Sequence, residues 1–113
     1  MPSYKHQRLG EDIHRELTDI FRGLKDPRID PLLSIVRVEL TNDQSLCKVY
    51  VSSVSGIETA KESVKGLTSA AGFVRRELGR RMEMRRSPEL RFIADNSIEH
   101  GAEIAKKLGE LQD

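Results

Sequence analysis

The chain has 113 residues, close to the length of one ordinary domain, with 37% hydrophobic and 33% charged residues. Its 19 Lys+Arg against 18 Asp+Glu exclude a supercharged disordered tail, and no apolar run approaches the ~18 residues of a membrane span. The basic, polar start lacks the apolar stretch of a signal peptide, and the lone Cys47 excludes an internal disulfide or a cysteine zinc cluster. The expectation is a soluble, cytoplasmic, single-domain protein with a lean core, since aromatics are only 4% and Trp is absent.

The first periodic segment is Leu9, Ile13, Leu17, Ile20, Phe21 and Leu24, the stripe of one helix face. It predicts a helix over residues 5–25, stopped at Asp26-Pro27 because the proline ring excludes its predecessor from helical geometry. After Asp30-Pro31 the texture turns to alternation. Val36, Val38 and Leu40 point one way and Arg37 and Glu39 the other, then Cys47, Val49 and Val51 alternate with Lys48, Tyr50 and Ser52. With Thr41-Asn42-Asp43-Gln44 between them, the two strands predict a β-hairpin.

A second helical stripe runs through Ala60, Val64, Leu67, Ala71, Val74, Leu78 and Met82. It holds register across Gly66 and Gly72, each costing about 1 kcal/mol against Ala inside a helix. The Ser69-Ala70-Ala71-Gly72 patch is the weak point, as a kink or as two abutting helices. Gly72 is there either a tolerated helical glycine permitting close packing or a hinge that turns a helix N-terminus toward phosphate. Leu90, Phe92 and Ala94 form a third strand after Ser87-Pro88. Asp95 or Ser97 then caps a last helix with Ile98, Ala102, Ala105 and Leu108 inward and Ile104 and Leu111 beside them. The order helix, strand, strand, kinked helix, strand, helix predicts an α+β fold, a three-stranded sheet with helices on one face.

The net charge of +1 conceals an asymmetry. Residues 1–60 carry 8 basic and 9 acidic groups, residues 61–91 carry 9 and 4, and residues 92–113 carry 2 and 5. The excess sits in Arg75, Arg76, Arg80, Arg81, Arg85 and Arg86, whose planar guanidinium forks match phosphate oxygens. A solvated face paired with acids of the first helix is the plain alternative, but six arginines in twelve residues do not interleave signs as paired faces do. These arginines are candidates for RNA binding, and Lys5, Arg8 and Lys25 are weaker ones, diluted by acidic neighbours. Phosphate contact rather than base reading is expected, because no aromatic interleaves with the tract. A protein-binding module that docks an acidic partner on the same arginines is the competing class.

No catalytic constellation emerges. His6, His14 and His100 lack companion cysteines at ligand spacing, no nucleophile elbow surrounds a serine, and the eight glycines form neither a P-loop nor a dinucleotide fingerprint. No metal, cofactor or enzymatic activity is expected. Cys47 shares the pattern of Val49 and Val51 and reads as a small core hydrophobe.

Four blocks resemble the bacterial ribosome-binding factor A family over nearly the whole chain. They are Lys25-Asp26-Pro27-Arg28-Ile29, Cys47-Lys48-Val49-Tyr50-Val51-Ser52, Ala70-Ala71-Gly72-Phe73-Val74-Arg75-Arg76-Glu77-Leu78, and Arg86-Ser87-Pro88-Glu89-Leu90-Arg91-Phe92-Ile93-Ala94-Asp95-Asn96-Ser97-Ile98. The resemblance implies a type-II KH-like fold, with residues 1–113 as a single KH-like ribosome-binding domain. KH domains clamp nucleic-acid backbone with a Gly-x-x-Gly loop. None occurs here, and the resemblance puts an Ala-x-Gly helix kink at Ala70 and Gly72 in its place. Cys47 stands where the family often has Ala, and the flexible basic C-terminal tail of some members is expected to be missing. The function implied is non-catalytic assembly of free or immature 30S subunits, assistance to 16S rRNA 5′-end maturation, and importance in the cold. The implied partner is 16S rRNA within the free 30S subunit, with other assembly factors as further candidates, no membrane, and a monomer as the expected state.

Overall fold

The computed structural model describes residues 4–111, and among these not the side chains of 4, 99, 102, 110 and 111. Helix α1 spans Tyr4–Arg22 and buries Ile13, Leu17 and Ile20, with Leu9, Phe21 and Leu24 packed beside them. It ends earlier than residue 25. Gly23 N–H donates to the Ile20 carbonyl and Leu24 N–H to that of Phe21, both at 3.1 Å, so the last turn tightens and unwinds before Pro27 is reached.

The segment from 23 to 33 is irregular but pinned. Ser53 Oγ donates to Asp30 Oδ2 at 2.5 Å, and the Asp30 N–H donates to Ser63 Oγ at 3.0 Å, which satisfies two buried hydroxyl groups. Arg28 forks onto Asp26 at 2.6 and 3.1 Å and holds that carboxyl down at about 2. The segment lies against the helix that follows, where Gly66 leaves room for it: a Cβ there would stand 2.7 Å from Ile29 Cγ1 and 3.2 Å from Asp26 Cγ.

Strands β1 (Ser34–Leu40) and β2 (Leu46–Ser52) form the antiparallel hairpin. Asp43 Oδ1 organises its turn, accepting from Thr41 Oγ1 and from the Ser45 N–H and Oγ, with Gln44 left-handed at φ 61°. The expected facing of β1 needs correction at its start. Ile35 pairs with Val51 and Arg37 with Tyr50, so Val36 is the extra residue of a β-bulge. Ile35 therefore joins Val38 and Leu40 against the core in place of Val36, since a one-residue slip exchanges the two faces.

Helices α2 (Ile57–Ser69) and α3 (Ala71–Arg81) cross over to β3 (Glu89–Ala94), which pairs parallel to β2 in the order β1-β2-β3. The central strand is the most deeply buried: Cys47, Val49 and Val51 are fully covered by Leu67, Val74 and Leu78 of α2 and α3 and by α1. Phe92 adds its ring 6.0 Å from that of Phe21. Burial pushes the Cys47 thiol up to about 12, which suits its core role.

Helix α4 (Ser97–Leu111) is the second correction. Asp95 Oδ1 caps it by accepting from the Ser97 N–H at 2.7 Å, and the Ile98 N–H donates to Ser52 Oγ at 3.2 Å. Beyond that first turn its described apolar residues do not point inward. Ala105 is exposed, Leu108 is 55% exposed and Ile104 46%, because α1, α2 and α3 already cover the apolar face of the sheet. The inward placement expected for Ala102 and the position of Leu111 lie outside the described side chains. The fold is α+β and KH-like, with three helices on one face of a mixed three-stranded sheet. No helix among the described residues is long and apolar enough to cross a membrane.

Candidate nucleic-acid interface

The basic tract begins where α2 gives way to α3. One residue, Ala70, separates them, with φ −92° and ψ 2° in the sparsely populated bridge region. Its N–H closes α2 onto the Gly66 and Leu67 carbonyls at 3.1 Å, while its carbonyl accepts the Val74 N–H at 2.9 Å and opens α3. The methyl groups of Ala70 and Ala71 pack on the core. Gly72 lies one residue inside α3 and is exposed; a Cβ there would meet only Arg76 Nη1, at 3.7 Å. The break therefore sits at Ala70, and neither close packing nor a positive φ requires glycine at 72. The close approach is made at Gly66 instead, under the segment carrying Ile29.

The arginines of the tract separate by partner. Arg75 donates from Nε and Nη2 to the Ser87 carbonyl at 3.1 and 2.9 Å, tying α3 to the connection into β3. Arg81 is only 26% exposed and donates to Asp19 Oδ2 at 2.6 Å, Glu77 Oε1 at 3.1 Å and Glu16 Oε2 at 3.4 Å. Asp19, then Glu77, raise its pKa further, and the group acts as a tie between α3 and α1. Arg80 also forks onto Glu77 but keeps 71% of its side chain in solvent. Hydrogen bonds from Arg80 and then Arg81 hold the Glu77 carboxyl down at about 2.

Arg76, Arg85 and Arg86 are exposed and have no ion pair or side-chain hydrogen bond among the described residues. Backbone geometry directs the last two outward. Helix α3 ends in a Schellman turn: the Met84 N–H reaches the Gly79 carbonyl at 2.9 Å and the Glu83 N–H reaches that of Arg80 at 3.4 Å, with Glu83 left-handed at φ 53°. Met84 then packs on the core and Pro88 is buried, so the residues between them are lifted into solvent.

Sequence reasoning did not single out two neighbours. Arg28 Nη2 donates to Ser69 Oγ at 3.1 Å and so stands beside the α2–α3 junction. Phe73 is 50% exposed, one turn ahead of Arg76 on the same helix face. No aromatic interleaves with the arginines, as expected, but this one adjoins the start of the tract. Its signal in the sequence was its failure to fall on the apolar stripe of Ala71, Val74 and Leu78.

Lys5, Arg8 and Lys25 are exposed but do not share one place, since α1 separates Lys5 from Lys25 and its 19 residues rise about 28 Å. Between residues 71 and 86 the chain carries six arginines against two glutamates. That surface can hold a polyanion: open forks at Arg76, Arg85 and Arg86, a partly engaged one at Arg80, and Arg75 and Arg81 fixing the scaffold beneath them. No cluster of His, Cys, Asp and Glu able to hold a metal ion occurs among the described residues.

A family model described as ribosome-binding factor A matches residues 5–108. The chain is 50% identical over 105 residues to the ribosome-binding factor A of Acetivibrio thermocellus, spanning 92% of this chain and 85% of that relative. The crystal structure of ribosome-binding factor A from Thermus thermophilus superposes with a TM-score of 0.70 at 32% identity, over 78% of this chain and 92% of that one. A homology model of the Thermus thermophilus ribosome-binding factor A, fitted into the cryo-EM map of a 30S complex of that factor, gives a TM-score of 0.64 at 34% identity, over 76% and 90% of the two chains.

Proposed function

This chain belongs to the ribosome-binding factor A family, and from that membership we propose that it is a cytoplasmic assembly factor that binds free or immature 30S subunits. It assists maturation of the 16S rRNA 5′ end and matters most in the cold, when misfolded rRNA helices persist. The observation that carries this is the likeness to the Thermus factor, whose homology model was fitted into a 30S complex, joined to a surface with three arginines that have no ion pair among the described residues.

The mechanism is binding without catalysis, by one domain acting as a monomer alongside other assembly factors. Arg76, Arg85, Arg86 and the open side of Arg80 take rRNA phosphates, which position the protein without reading sequence. Such a factor changes the outcome of folding only by binding one rRNA arrangement more tightly than its competitors, and it leaves when the favoured arrangement no longer offers that surface. Sedimentation with separated particles tests the proposal. The protein is expected in the free small-subunit fraction and absent from joined ribosomes; equal occupancy of both would refute it.

A further inference from the structure

The sequence has three phenylalanines, and two of them are used in the core: Phe92 is 7% exposed and Phe21 packs against it. Phe73 is different. It lies in the first turn of α3, 50% exposed and outside the core cluster, while its neighbours Ala70, Ala71 and Val74 are packed inward. Its ring is apolar surface that the core does not use, as are Leu32, Val54, Ile104 and Leu108, and what sets it apart is the basic tract that follows it.

Its surroundings mix charges, with one open cation. Arg76 follows at i+3 on the same face without an ion pair among the described residues, and its Nη1 would stand 3.7 Å from a Cβ on Gly72, so the guanidinium folds back toward the first turn of α3. Arg80 continues the face at i+7 but is forked onto Glu77, and Arg28, beyond the junction at Ser69, is forked onto Asp26. An exposed ring with an open guanidinium at i+3 suits a ligand with a flat apolar surface joined to an anion. An unpaired nucleotide has that combination: its base stacks on an aromatic face while its phosphates meet arginine forks. A duplex offers only the phosphates.

We propose that Phe73 is a stacking platform for one unpaired RNA base, with Arg76 binding the adjoining phosphate. The inference rests on the small-subunit reading above and adds that the rRNA presented to α3 is single-stranded at that point.

Because the chain has no tryptophan, Phe73→Trp installs the protein's one indole at the position, excited apart from the two tyrosines at the red edge of its absorption. Phe73→Leu removes the ring and keeps an apolar side chain. The position faces solvent, and thermal unfolding verifies that both variants fold. With isolated small subunits, Phe73→Leu is expected to bind about 5- to 100-fold more weakly, Phe73→Trp to bind like wild type, and the salt slope to be unchanged in both, since no cation is lost. Arg76→Ala is expected to lower that slope. An oligoadenylate strand should quench the emission of the introduced tryptophan, and a fully paired RNA of the same length should not.

Unchanged affinity of Phe73→Leu, in a series where Arg76→Ala still weakens binding, would overturn the stacking role alone. A blue shift of the Phe73→Trp emission on small subunits without quenching by oligoadenylate would do the same, because it marks cover by an apolar protein surface. Failure of the wild-type protein to bind small subunits would remove the functional reading together with the inference.

Discussion

Substituting Gly66 and Gly72 by alanine should have opposite effects, although both fall within the same helical stretch of the sequence. In a helix the change removes the glycine entropy term and gains about 0.5–1 kcal/mol where nothing obstructs the new methyl group. At Gly72 the nearest atom is the mobile end of Arg76, at 3.7 Å, so the gain is retained and Gly72→Ala should stabilise the protein by about 0.5 kcal/mol. At Gly66 the methyl group would meet Ile29 Cγ1 at 2.7 Å and the Asp26 carboxyl at 3.2–3.3 Å. Neither neighbour yields freely. Ile29 is β-branched and its N–H is bound to the Asp26 carbonyl at 3.0 Å, while Asp30 is bound to Ser53 and Ser63. Displacing such a segment costs about 1–3 kcal/mol, as overpacking does. The helix gain offsets part of this, so Gly66→Ala should lose about 1 kcal/mol, or roughly 4 °C in Tm for a chain of this size. Urea unfolding of the two variants beside wild type is the assay, read at the midpoint with the m-value held as a check on two-state behaviour. A Gly66→Ala variant as stable as Gly72→Ala would refute the close approach and with it the fit of the 23–33 segment onto α2.

The ion pairs and the helix end give three further tests. Arg81→Ala should lower the unfolding midpoint, because it leaves Asp19, Glu16 and Glu77 without their shared cation, whereas Arg76→Ala should leave the midpoint unchanged; thermal melts of equal size for both would contradict the division of roles. Glu77 is held near 2 instead of its usual 4.5, so its contribution is fully present above pH 4.5 and is lost as the pH falls toward 2. Urea midpoints across that window should therefore fall more steeply for wild type than for Glu77→Gln, and parallel slopes would count against the pairing. Glu83→Gly relieves a left-handed non-glycine residue at φ 53° and should stabilise by about 0.5–1 kcal/mol after its own entropy cost; a loss in chemical denaturation would argue against the Schellman turn.

Local pattern carried much of the fold. The α1 stripe, the Cys47–Val51 alternation and the turn chemistry at Asp43 each depend on neighbours within a few residues, so periodicity could find them. What it missed depended on distant partners. The exchange of Val36 for Ile35 on the core face follows from a bulge, which is a property of strand pairing and leaves no mark in β1 alone. The outward face of α4 follows from three other helices having already covered the sheet; the amphipathic pattern is present, but what it should pack against is not written in it. In the arginine tract the composition was plain and the division of labour was not. Arg81 is engaged by acids more than sixty residues away, Arg75 by a backbone carbonyl, and only the assembled fold separates them from Arg76, Arg85 and Arg86. The Ala70 junction was one of two alternatives left open by register, and the stereochemical need for glycine proved to lie at Gly66.

The most direct measurement is a salt titration of small-subunit binding for wild type and for the triple variant Arg76→Ala, Arg85→Ala, Arg86→Ala. Three phosphate contacts correspond to a slope of log K against log salt of about −2 to −3, or roughly 30-fold in affinity between 50 and 200 mM. The variant should fold with an unchanged midpoint, bind small subunits far more weakly at low salt, and show a slope closer to zero by about 2–3. Equal affinity and equal slope for the two proteins would contradict the claim that this arginine surface holds the rRNA.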